Sequence, residues 1–192
     1  MANIGFINTN NSLIMANWCS NHVSVTGDNP NVQAFVNEII ELSLKYRKIE
    51  EGVLPEYCEY LKDGYLFFDN EIYEKETTDF SADNPCFNYS TQWSPNLAIL
   101  KCMAEHHKVN IESEYEEMGM QIYGKWTYND GIENDVWLEQ EDFDLYTEYE
   151  ENYTYTYKGE VYNSEWEVLE LILENKIAEL KKQHFLTNKE TV

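Results

Sequence analysis

The sequence predicts an α+β fold, an antiparallel sheet carrying helices and ending in a further packed helix. Three patterns predict it. Apolar residues alternate at period two in His22–Gly27, Val109–Tyr115 and Met120–Tyr128, as half-buried strands require. Apolar residues recur at helical spacing after Asn29 and again after Ser94. Near the end, Trp166, Leu169, Leu173, Ile177 and Leu180 follow a 3-4-4-3 spacing, which draws one stripe along a helix. A length of 192 residues suits one domain with an appendage, and 43% hydrophobic residues with 15% aromatics supply a core.

Met1 to Ile14 is Asn/Ser-rich and weakly patterned, and reads as an N-terminal extension, 1–14, ahead of the domain proper. His22 to Gly27 is the first strand, with Val23 and Val25 on one face, closed by Gly27-Asp28. Asn29 then caps a helix with Pro30 at its first position, where the missing N–H costs nothing. Val32, Phe35, Val36, Ile39 and Ile40 form its buried stripe, and it ends near Arg47. Tyr65–Tyr73 and Phe87–Trp93 are aromatic-rich strands. Ser94-Pro95 repeats the cap-and-proline signal and launches a helix with Leu97, Leu100, Met103 and Ala104 facing inward. Val109–Tyr115 and Met120–Tyr128 pair as a hairpin turning at Glu117-Met118-Gly119. The order β-α-β-β-α-β plus one added strand is the ferredoxin-like split βαβ arrangement, assigned to residues 15–131. "Ferredoxin-like" here names a fold and not an iron–sulfur protein.

After the Asn129-Asp130-Gly131 turn the character changes. Residues 132–184 read as an acidic strand-helix appendage of the same domain, and 185–192 as a loose polar tail. Tyr153, Tyr155 and Tyr157 alternate with Thr, Lys158-Gly159 turns the chain, and Val161 and Tyr162 return as extra C-terminal strands. Ser164-x-x-Glu167 is a capping box for the last helix.

Charge narrows the partners. Against 13 Lys and Arg stand 36 Asp and Glu, a formal −23. Coulomb repulsion disfavours direct nucleic-acid and membrane-surface binding, so a charge-held partner is basic. The longest apolar runs are too short for a membrane span, and the first residues lack the basic n-region of a signal peptide. Cys19, Cys58, Cys86 and Cys102 are scattered with no Cys-x-x-Cys pair, which suits idle thiols in a reducing cytoplasm.

Several apparent motifs do not survive their chemistry. Gly119 to Lys125 nearly spells a P-loop, but Trp126 stands where the Mg²⁺-binding Ser or Thr is needed, on a strand pattern. Cys102 and His106 sit at i, i+4, with no third residue to orient them; a small core-facing thiol near an exposed His is the simpler reading. His106 and His107 diverge around the helix and suit its C-terminal dipole. Cys19 and His22 point to opposite faces of an extended segment. Trp18, Trp93, Trp126, Trp137 and Trp166 lie on different elements and read as core and sheet-face packing rather than a ligand box. The acids around Gly131 do not have EF-hand spacing, and nothing orients a pair for glycoside hydrolysis. No cofactor and no metal is expected.

A family signal runs through the same residues. Met15-Ala16-Asn17-Trp18-Cys19-Ser20-Asn21-His22, then Trp93-Ser94-Pro95-Asn96, then Tyr115-Glu116-Glu117-Met118-Gly119 with Ile122-Tyr123-Gly124, resemble the signatures of the YubB-like, ferredoxin-like family. The likeness continues through Asp142-Phe143, Lys158-Gly159-Glu160 and the last helix, from Met15 to about Leu180. The resemblance implies a plasmid- or phage-borne protein of a bacterial host, with a role against host defence, and carries no catalytic residue.

From Glu112 to Glu151 fourteen carboxylates face a single base, Lys125, a formal −13. The expected function is therefore a non-enzymatic acidic interaction protein that mimics nucleic acid and binds a basic host protein surface. The expected partner-binding residues are Glu133, Asp135, Glu139, Glu141, Asp142, Asp144, Glu148, Glu150 and Glu151. The alternatives are an enzyme centred on Cys102 with His106 or on Glu139 to Asp144, or a solvated domain that forms a homodimer through its sheet edges.

Overall fold

A computed structural model describes residues 17–49, 57, 85–149, 151 and 153–190. The expected extension 1–14 and the Tyr65–Tyr73 strand lie outside the described residues. The elements are β1 (Trp18–Thr26), α1 (Asn29–Ile49), β2 (Cys86–Gln92), α2 (Leu97–His107), β3 (Asn110–Glu117), β4 (Ile122–Asn129), β5 (Ile132–Trp137), α3 (Gln140–Phe143), β6 (Thr147–Tyr149), β7 (Thr154–Tyr157), β8 (Glu160–Tyr162) and α4 (Glu165–Glu190).

Five strands form one antiparallel sheet in the order β2-β1-β3-β4-β5, and β6-β7-β8 form a second, smaller one. β2 and β3, joined through α2, flank β1 on either side, the split βαβ unit expected of a ferredoxin-like domain. β3 and β4 meet through a 3-10 turn at Met118–Met120, where the hairpin was expected.

Alternation divides the main sheet into two faces. Cys19, Val23, Val25, Phe87, Tyr89, Ile111, Tyr115, Trp126 and Tyr128 point inward and pack under α1 and α2. The helices answer with Val32, Phe35, Val36 and Ile39 from α1, and Ile99, Leu100, Met103 and Ala104 from α2. Tyr123 and Val136 point to the opposite, outer face. There they join a second core with Leu138, Phe143, Tyr157 and the Val168, Leu169, Ile172 and Leu173 stripe of α4.

Several boundaries differ from expectation for visible reasons. α1 starts one residue early, because the Asp28 carbonyl already accepts the Val32 N–H at 3.0 Å. α2 starts at Leu97 and not after Ser94, whose carbonyl is taken by the Thr91 hydroxyl at 2.8 Å. α4 stays helical to Glu190, through the expected tail, since residues 185–190 contain no Gly or Pro to stop it. Only one of the five tryptophans is a core residue: Trp126 is fully buried, while Trp18, Trp93, Trp137 and Trp166 are 42–50% exposed. Trp137 fails to bury because it sits at the end of β5, which has a neighbour on one side only among the described residues.

Candidate functional site: an acidic cleft beside the last helix

The outer sheet face is covered unevenly. α4 packs over β4 and β5 and against β7 and β8. Beside it a cleft of about 1430 Å³ opens on the sheet, lined by β1 and β3 and also by parts of β4 and β5. Glu112, Glu114 and Glu116 line one wall, because alternate residues of β3 share a face while Ile111, Ser113 and Tyr115 turn inward. Glu170 and Glu174, one helical turn apart on α4, line the other. Lys125 and Lys181 are its cations, and Trp166, Leu173, Ile177 and Leu180 its apolar lining.

Lys125 sits at the centre of the field. Its Nζ lies 2.6 Å from Glu112 Oε1 and 3.0 Å from Glu114 Oε1. Burial disfavours its charge, but the two carboxylates outweigh that and raise its pKa. The acids on either wall sense one another. Burial raises the Glu170 carboxyl, and the charges of Glu174 and Glu114 raise it further, partly relieved by Lys125. Burial also raises Glu116. Tyr123, on the floor, has its phenol raised by burial and then by Glu170, Glu116, Glu114 and Glu174. Lys125 is shared between two carboxylates, and with Lys181 counted the five lining glutamates still outnumber the two lining lysines among the described residues.

Of the nine carboxylates expected to bind a partner, only Asp135 is among the residues lining this cleft. Register places Glu133 and Asp135 on the inner face of β5, paired with Tyr128 and Trp126 of β4. Glu133 accepts from Lys101 at 2.6 Å and Trp126 Nε1 at 3.0 Å, and its pKa falls through those bonds. Asp135 accepts from the Tyr115 hydroxyl at 2.8 Å; burial raises its pKa despite that bond. Glu139 and Asp142 form a reciprocal capping box around α3, and both reach Lys176 of α4, at 3.6 and 2.6 Å. Burial raises the Asp142 carboxyl, but Lys176 and the Glu139 backbone N–H more than offset it, so its pKa is lowered. Glu141 and Asp144 are exposed on and just after α3, and Glu148 and Glu151 are exposed near β6. Glu150 lies outside the described residues.

The described members of the set therefore divide among structural caps, an inner-face ion pair at Glu133, an inner-face hydrogen bond at Asp135, and solvated positions. Glu112, Glu114 and Glu116 were within the acidic run but were not singled out. Their alternation with Ile111, Ser113 and Tyr115 is the signal that could have found them. Glu170 and Glu174 fell outside the run, and only their i, i+4 spacing beside the apolar stripe marks them.

The remaining sequence candidates are occupied otherwise. Cys102 Sγ lies 3.8 Å from the Tyr57 carbonyl, while the His106 ring stacks on the Tyr57 ring with centroids 3.8 Å apart. His107 engages Glu38, which also accepts from the Tyr57 hydroxyl at 2.7 Å. His22 meets Asn88 at 2.6 Å on the outer face, while Cys19 is buried on the inner one, as the extended spacing required. The stretch that nearly spells a P-loop runs into β4, with no helix behind it. Among the described residues, no group of three or more His, Cys, Asp or Glu is placed to hold a metal ion. No helix among them is long and apolar enough to cross a membrane.

Comparison with known proteins agrees with the topology. The model of a family described as "Ferredoxin-like domain in Api92-like protein" matches residues 69–158, just under half of the chain, from before β2 through β7. No curated protein and no solved structure matches. The family match and the split βαβ sheet together give this chain a ferredoxin-like domain.

Proposed function

We propose that this chain is a non-enzymatic interaction protein that holds a basic surface of another protein in the cleft between β3 and α4. The observation carrying the reading is that Glu112, Glu114 and Glu116 share one cleft with Glu170 and Glu174, with Lys125 already shared by two of them. A field of this kind favours cationic groups and opposes phosphate backbones and anionic lipid surfaces. Glu141, Asp144, Glu148 and Glu151, exposed on neighbouring elements, extend the negative potential and steer encounter rather than hold the partner.

The finer reading goes with it. The chain is a YubB-like protein of a plasmid or phage, acting in the cytoplasm of its bacterial host. Its partner is a nucleic-acid-handling or defence protein whose basic surface it binds in place of DNA. The resemblance of its signature segments to that family supports this setting, and the row of outward carboxylates along β3 supports the mimicry.

The test is capture from host lysate at about 50 mM salt, where screening is weak. A partner retained by the wild type is expected to be lost from a Glu114→Lys/Glu170→Lys variant and released by about 0.5 M salt. A Glu141→Lys/Asp144→Lys variant should retain it with a slower association. Retention by the cleft variant, or indifference to salt, would sink the proposal.

A further inference from the structure

The shape of the cleft says more about its occupant than its charge does. The inner face of the five-stranded sheet carries two helices, α1 and α2. The outer face, among the described residues, carries α4 over β4 and β5, while Ser20, His22, Glu112 and Glu114 of β1 and β3 line the open cleft. Helices on one layer pack about 8–10 Å apart, so a second helix beside α4 would lie over β1 and β3. A helix of 10–12 Å diameter rising 1.5 Å per residue fills roughly 120–170 Å³ per residue. The 1430 Å³ cleft, which reaches over parts of β4 and β5 as well, therefore has room for at most about eight to twelve residues, some two to three turns.

The flank of α4 that borders this space is unfinished. Trp166 and Leu180 are 47% and 44% exposed, and with Leu173 and Ile177 they line the cleft along one side of the helix. Resting on the reading that the cleft takes a basic partner, we propose that its occupant is a basic amphipathic α-helix of that partner. It lies beside α4, apolar stripe against Trp166, Ile177 and Leu180, lysines and arginines toward Glu112, Glu114 and Glu116.

Two other occupants fit less well. An extended peptide would lie on a sheet face, which presents side chains and not free backbone groups, so its own N–H and C=O groups would go unpaired; a helix satisfies its own. A second copy of this chain carries the same acidic face and the same −23, and two such faces repel.

The probes are two synthetic peptides of identical Leu and Lys composition and about fourteen residues. One is patterned at the helical period of 3.6, the other alternates at period two. Each is titrated into the isotope-labelled full chain at low salt, and amide shifts are followed. The helical-period peptide is expected to bind at least about tenfold more tightly, with shifts concentrated at Glu112–Glu116 and Glu170–Lys181. Glu170→Lys/Glu174→Lys should remove most of that affinity. Leu180→Asp, at an exposed position where folding is not at stake, should weaken the helical-period peptide several-fold more than the alternating one.

Equal affinity for the two peptides, or the same shifts from spermidine at matched charge, overturns the helix and leaves the basic-partner reading standing. Binding of neither peptide overturns both.

Discussion

Tyr115 and Tyr123 lie on neighbouring strands but face opposite sides of the sheet, and the difference decides what each does. Tyr115 turns inward, and its ring crosses β4 at Gly124, the residue directly opposite in register. Its hydroxyl continues to Asp135 on β5, so one side chain ties three strands together. A Cβ at Gly124 would overlap the Tyr115 hydroxyl and ring carbons. Gly124→Ala is therefore expected to destabilise the fold by about 1–3 kcal/mol, the usual cost of overpacking. Urea unfolding measures it, and a neutral result would mean the ring has room elsewhere. The same variant should leave Tyr123 and the outer carboxylates in place, since they belong to the other face.

At the scale of elements, α4 has a buried stripe and a working flank, and single substitutions should separate them. Leu169 is fully buried in the second core, so Leu169→Ala is expected to cost about 2–5 kcal/mol. Leu180→Ala, nearly half exposed, should stay within about 0.5 kcal/mol. Comparable losses at both positions in urea melts would mean that the flank is packed. The sequence stripe placed Leu169, Leu173 and Ile177 correctly but also took in Trp166 and Leu180. Spacing reports which residues share a side of a helix, not how far a neighbouring sheet reaches along it. β5 was illegible for a related reason. Its inward positions are Glu133 and Asp135, which are satisfied by Lys101, Trp126 and Tyr115, so no apolar alternation announces a strand. β1, β3 and β4 were legible because their inner residues meet apolar helices. The cleft was half legible: the acidic run pointed to β3, but its facing wall comes from α4, about fifty-five residues later, and only tertiary packing joins them.

Across the whole molecule, a formal −23 makes self-repulsion a standing cost of the compact state. Raising salt from about 0.05 to 0.5 M should therefore raise the unfolding temperature, as screening shortens the reach of like charges. Acidity acts in the same direction over a limited window. Glu116, Asp135 and Glu170 hold protons more tightly folded than unfolded. Their favourable contribution is complete below about pH 4 and is lost as pH rises through their raised values. Glu133 and Asp142 behave oppositely, contributing above about pH 4 and losing that contribution as pH falls through their lowered values. Thermal stability should climb as pH falls from neutrality toward about 4 and decline in stronger acid; a steady fall over that range would show the raised carboxyls to be a minor influence. The function proposed for this chain depends on the outer glutamates acting as one field across the cleft. Carboxyl-carbon NMR titration reads that field directly. Glu170 and Glu116 are expected to titrate above the ordinary glutamate range, with Glu170 moving down in Glu114→Gln across the cleft, whereas ordinary midpoints untouched by that substitution would mean that the two walls do not sense each other.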